Sequence, residues 1–86
     1  MNKFAIIGLG AFGVRMLEEL LRFTDEVIII DKDSNLIRKY EGKTVKGHIV
    51  NITDDESLRK NIPQGIGTAI VDLGGRIELS LMVTKY

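Results

Sequence analysis

Gly8, Gly10 and Gly13 fall within one short stretch, Gly8-Leu9-Gly10-Ala11-Phe12-Gly13. Glycines at this spacing leave a chain corner bare of Cβ atoms. Backbone N–H groups in such a corner can point at an anion. Gly8 would allow a tight turn, Gly10 the close approach of a pyrophosphate, and Gly13 close packing of the element that follows. A helix starting here would add free N–H groups and a partial positive charge, worth roughly 0.3–2 kcal/mol to a bound anion. Asp31 stands about twenty residues further on, the distance at which an acid meets a ribose. Its carboxylate could accept from both ribose hydroxyls and would repel a 2′-phosphate. That combination favours NAD(H), ATP, ADP or AMP over NADP. Lys32, next in the chain, would partly screen the charge. The plain alternative is a glycine-rich turn beside a solvated aspartate.

Such a corner works only if a strand leads into it and a helix leads out. Phe4-Ala5-Ile6-Ile7 is a continuous apolar run ending in glycine, as expected of a parallel strand buried on both faces. After the glycines, Val14, Leu17, Leu20 and Leu21 recur at helical spacing, with Arg15, Glu18, Glu19 and Arg22 between them. The spacing predicts an amphipathic helix over Val14 to Phe23. Val27-Ile28-Ile29-Ile30, all β-branched and closed by Asp31, predicts the second strand. Asp33-Ser34 can cap a short helix carrying Leu36, Ile37 and Tyr40, which Gly42 ends.

His48-Ile49-Val50 reads as a third strand. Thr53-Asp54-Asp55-Glu56 has the acidic look of a helix start, with Leu58 and Ile62 following. Ala69 to Leu73 reads as a fourth strand. Gly74-Gly75 then turns into an expected last helix, Arg76 to Tyr86. Strict β-α alternation implies parallel strands joined by right-handed crossovers. The expected fold is α/β: a Rossmann-like parallel sheet of order 3-2-1-4 with helices on both faces. A full doubly wound dinucleotide domain has further strands, so residues 1–86 read as one nucleotide-binding domain truncated to about four strands.

Composition narrows the function classes. The 86 residues carry 12 basic and 12 acidic side chains and no cysteine. No basic run suggests a nucleic-acid footprint. Disulfides and cysteine-based metal sites are excluded. The apolar runs are too short to cross a bilayer, and Met1-Asn2-Lys3 lacks a signal-peptide layout. The default expectation is a cytoplasmic protein without direct membrane insertion. His48, the only histidine, reads as structural or exposed rather than catalytic, with no evident nucleophile or second ligand beside it. Asp54, Asp55 and Glu56 read as helix N-terminal charges rather than as a metal site. No catalytic or metal-binding residues are expected.

Phe4 to Gly13, Val27 to Asp31, and Val50-Asn51-Ile52-Thr53-Asp54 together resemble the TrkA-N family. That family forms the N-terminal lobe of RCK domains, the cytosolic nucleotide-sensing parts of potassium channels and transporters. The resemblance covers nearly the whole chain. It implies that the loop Gly8, Leu9, Gly10, Ala11, Phe12 and Gly13 holds phosphates and that Asp31 holds the ribose. It places Asn51, with Ile52 beside it, near the adenine; a turn or capping amide is the alternative for Asn51. Thr53 also matches, although a helix N-cap suits it better. Gly74 would lie across the crevice from the loop, and Arg76 could face the phosphates or remain a solvated cation. Relatives with Arg after the second loop glycine have a cation for a terminal phosphate. Here that position is Ala11, so Arg76 would have to serve.

The resemblance further implies a regulatory role, not an enzymatic one. The implied partner is a membrane-embedded potassium channel or transporter subunit, which would hold the protein at the inner face of the membrane. The last helix would be apolar nearly all round, through Ile77, Leu81 and Val83 on one side and Leu79, Met82 and Tyr86 on another. One face would need a cover, so a homodimer or higher RCK assembly is expected; missing C-terminal strands are the alternative cover. Two rival readings are the cofactor half of an NAD-dependent oxidoreductase and a structural fragment without a ligand. The oxidoreductase would need a substrate domain and an acid–base residue near the nicotinamide, neither of which the chain supplies.

Overall fold

The computed structural model describes residues 3–24, 26–42, 45–51, 62, 65–72 and 77–81. Strand β1 is Lys3–Ile7, helix α1 Ala11–Leu20, strand β2 Val27–Asp31, helix α2 Ser34–Tyr40 and strand β3 Val45–Ile49. Strands β4, Ile66–Asp72, and β5, Ile77–Leu81, follow. They form one sheet of order β3-β2-β1-β4-β5. The first four strands are mutually parallel, in the expected order.

β1 lies between β2 and β4, so its backbone is paired on both edges, and its side chains are buried on both faces of the sheet. Ile6 joins Val27, Ile29 and Val45 on one face. Ala5 and Ile7 join Ile30, Ile66, Ala69 and Val71 on the other. This two-sided burial explains why β1 and β2 are apolar without alternation.

Both described helices cover the first face. α1 buries Leu17 there and packs Val14, Met16 and Leu20 against the same cluster. α2 buries Ile37, with Leu36 and Tyr40 alongside. Asp33 caps α2 as expected, its carboxylate accepting from the N–H groups of Asn35 and Leu36 at 2.9 and 3.4 Å. On the second face Ile28, Val50 and Ile62 pack against the cluster. The helix expected from Thr53 onward lies outside the described residues. No helix among the described residues is long and apolar enough to cross a membrane.

α1 starts three residues earlier than its apolar periodicity suggests. Gly10 is its N-cap, so Ala11, Phe12 and Gly13 form the first helical turn. It also ends earlier. Arg22 and Phe23 donate to the carbonyls of Glu19 and Leu20, three residues back, at 3.2 and 2.9 Å. Such bonds tighten and close a last turn.

The expected helix from Arg76 to Tyr86 is not formed as such. Residues 77–81 are instead β5, antiparallel to β4, with Asp72 opposite Ile77 and Thr68 opposite Leu81. The physical reason is twofold. Ile77-Glu78-Leu79-Ser80-Leu81 alternates apolar and polar residues, the period of a half-buried strand. Without β5, β4 would also keep an open edge on the side away from β1, and such an edge offers unpaired backbone groups to any nearby strand. The inference of a subunit partner from a helix apolar all round loses its basis here.

Two measurements check this architecture. Leu17→Ala should lower stability by ~2–5 kcal/mol, the usual cost of emptying a core leucine site; an unmoved urea midpoint would place Leu17 outside the core. NMR should show interstrand contacts between Ala69 and Ser80, whereas sequential helical contacts through 77–81 would rule β5 out.

Candidate functional site

The order β3-β2-β1-β4 sends the chain outward from β1 in one direction and then back across to its other side. The reversal falls between β1 and β4. In open α/β sheets, ligands gather at the carboxyl ends of the strands at such a switch point. The glycine stretch lies there, between β1 and α1.

Gly8 makes the turn. Its φ is +91°, a conformation that side chains with a Cβ rarely adopt. A Cβ on Gly8 would also collide with the Asp72 carbonyl at the end of β4. Its N–H donates to the Ile30 carbonyl at 2.8 Å, carrying the β1–β2 ladder into the turn. Gly13 answers a different demand. A Cβ there would collide with the Gly8 carbonyl, so its absence lets α1 settle directly on the turn. The first intrahelical bond runs from the Val14 N–H to the Gly10 carbonyl, 3.0 Å. The N–H groups of Ala11 and Phe12 have no acceptor among the described residues. Both residues are exposed and belong to the first turn of α1, its positive end.

Asp31 ends β2 and turns into the corner. One carboxylate oxygen accepts from the Leu9 N–H at 2.7 Å, and the other from the Asp33 N–H at 2.8 Å. The side chain is half-buried. Each oxygen keeps a further lone pair. The Leu9 side chain is buried in the core, so only its backbone faces the corner. Lys32 is exposed beside Asp31. The Val50 N–H donates to the Asp31 carbonyl at 2.9 Å, which brings the exposed Asn51 close to the tip of β2. Ile52, Gly74 and Arg76 lie outside the described residues, as do Thr53, Asp54, Asp55 and Glu56. His48 is exposed on β3. Among the described residues no cluster of histidine and carboxylate side chains could hold a metal ion.

Asp72 is the residue that sequence reasoning missed. It ends β4, and its Oδ2 accepts from the Gly13 N–H at 3.0 Å. The same oxygen lies 2.6 Å from the point a Cβ on Gly10 would occupy. A signal was present. Ala69-Ile70-Val71-Asp72 repeats the plan of Ile28-Ile29-Ile30-Asp31, an apolar strand closed by aspartate. The two strands flank β1 on opposite sides, so the corner receives one carboxylate from each.

This site belongs to a chain with clear relatives. The model of the TrkA-N domain family matches residues 4–86. The chain is 30% identical over 83 residues to Ktr system potassium uptake protein A of Bacillus subtilis (strain 168), covering 96% of this chain and 37% of that protein. It is 31% identical over 84 residues to Ktr system potassium uptake protein C of the same organism, covering 96% and 38%. Ktr system potassium uptake protein A of Vibrio alginolyticus is 23% identical over 83 residues, covering 96% and 38%. The chain thus spans a little over a third of the length of these relatives. No solved structure matches it significantly.

The Asp31 bonds hold the corner together without any ligand. Asp31→Ala removes the acceptor of two backbone donors; the exposed Asp33 N–H can turn to water, while the part-buried Leu9 N–H left unpaired costs up to ~1–3 kcal/mol. Urea denaturation without nucleotide should show that loss, with a smaller one for Asp31→Asn, which keeps one acceptor oxygen. Equal midpoints for Asp31→Ala and wild type would mean that the bonds do not form in solution.

Proposed function

The chain belongs to the TrkA-N domain family, and from that premise we propose that it is a regulatory module of a potassium-transport system that works by binding an adenine nucleotide at the glycine corner. One observation carries the reading: a Cβ-free turn at the switch point, with free N–H groups at the start of α1 and the Asp31 carboxylate turned into it. Oriented donors at a helix start suit a phosphate. The spare lone pairs of Asp31 suit ribose hydroxyls.

In this reading the loop from Gly8 to Gly13 receives the phosphates, and Asp31 the ribose, with Lys32 beside it. Asn51 is assigned to the adenine, and the family resemblance adds Ile52, Gly74 and Arg76 to the same site. An ionised Asp31 disfavours a 2′-phosphate, so NAD(H), ATP, ADP and AMP are the candidates. The relatives' names, potassium uptake proteins, support a membrane-embedded potassium channel or transporter subunit as partner. The module then works in the cytoplasm at the inner face of the membrane; for a homodimer or higher assembly the family resemblance is the remaining support. Its nucleotide is a signal rather than a reagent. Binding biases one arrangement of the assembly over another, a coupling typically worth ~1–3 kcal/mol.

Thermal-shift measurements test the binding half. A ligand that binds only the folded state adds about 2.7 kcal/mol at a hundred times its Kd, so NADH or ADP should raise Tm clearly, and NADPH less at equal concentration. No shift with any adenine nucleotide would reject nucleotide binding. The transport half predicts slower potassium uptake at limiting external potassium when the protein is removed from cells; unchanged uptake would reject it.

A further inference from the structure

The start of α1 is not bare: a carboxylate of the protein already sits on it. The Gly13 N–H belongs to the first turn, whose donors have no acceptor within the helix. Asp72 Oδ2 takes that donor at 3.0 Å. The carboxylate also lies over Gly10, with Oδ2 at 2.6 Å and Oδ1 at 3.4 Å from the position of an added Cβ. The space left by the missing Cβ of Gly10 is therefore used by Asp72 itself.

We propose that Asp72 is a specificity residue of the nucleotide site: a built-in anion that competes with ligand phosphates for the first turn of α1, and so selects the weakly charged pyrophosphate diester of a dinucleotide over ATP. This rests on the nucleotide reading above. A phosphate approaching the corner meets Asp72 on one flank and Asp31 on the other. Among the described residues neither acid is in a salt bridge. Like charges at short range in a partly desolvated site repel strongly. The repulsion grows with each phosphate charge, so a chain of terminal phosphates suffers more than a diester. A ligand that reaches Gly13 must also displace Asp72 from its N–H. Asp72 thus stabilises the free corner and disfavours highly charged ligands there.

Calorimetry on wild type and Asp72→Asn, with NADH and ATP as the probes, tests this. Wild type should prefer NADH. Asp72→Asn should tighten ATP by about tenfold and NADH by less, the scale of one removed like-charge contact. The ligand-free Tm of the variant should fall, because a neutral amide caps the helix less well. A merely structural Asp72 would also lower Tm, but it would leave the NADH-to-ATP ratio where it was. If wild type binds NADH and that ratio does not move, the selectivity role of Asp72 is overturned while the nucleotide site stands. If neither protein binds either nucleotide, the nucleotide reading itself is overturned. Should Asp72→Asn not fold, Asp72→Ser removes the charge while keeping an oxygen, and the same ratio decides.

Discussion

The carbonyl of Gly8 lies directly beneath Gly13, and the carbonyl of Asp72 presses on Gly8 from the other side. No Cβ fits at either glycine. This double contact ties the end of β1 to the start of α1 and to the end of β4. α1 can reach the sheet closely only because Gly13 has no side chain, and that approach brings Leu17 into the cluster of Ile6, Val27 and Ile29. Surface charge does far less to hold the fold. The described ion pairs, Lys3 with Glu26 and Glu19 with Arg15 and Arg22, are long and exposed, a kind worth ~0–1 kcal/mol. A domain of this size has a small core and marginal stability, so it depends on close approach in the few places that allow it.

Close approach of backbones creates a polar problem. A sharp turn entering a helix leaves N–H groups without ladder or helix partners. Here the neighbouring strands solve part of it. Asp31, from β2, takes the Leu9 N–H, and Asp72, from β4, takes the Gly13 N–H. Each bond links residues far apart in sequence, and each involves a charged acceptor, the stronger class of hydrogen bond. The same two acids fix how the tips of β2 and β4 meet the corner.

The parts readable from sequence were those set by local pattern. The apolar runs of β1 and β2, the glycine turn and the Asp33 cap each follow from neighbouring residues; alternation implies parallel strands, and the glycine motif the order 3-2-1-4. Two features were not readable in this way. Ile77 and Leu81 sit four apart, as on a helix face, yet Ile77, Leu79 and Leu81 also alternate as in a strand. Pairing with the outer edge of β4, a tertiary feature, favours the strand. Asp72 was overlooked for a related reason. An aspartate at a strand end gains meaning only once β4 lies beside β1 and its tip reaches Gly13. Asp31 was visible because its spacing from the glycines is itself a familiar pattern.

These two acids give the corner a character that the glycines alone do not. A bare glycine turn would be a simple anion trap. With Asp31 and Asp72 already accepting from its amides, the corner is part anion site and part self-satisfied structure. A ligand that takes the Leu9 or Gly13 N–H would have to exchange places with one of these carboxylates. Only the difference between the bonds gained and the bonds displaced contributes to affinity. The N–H groups of Ala11 and Phe12, by contrast, have no described acceptor to be displaced. Asp72 leads directly into the connection to β5, while Asp31 is tied through its own carbonyl to the end of β3. The two carboxylates therefore tie the corner to the strands on both sides of β1.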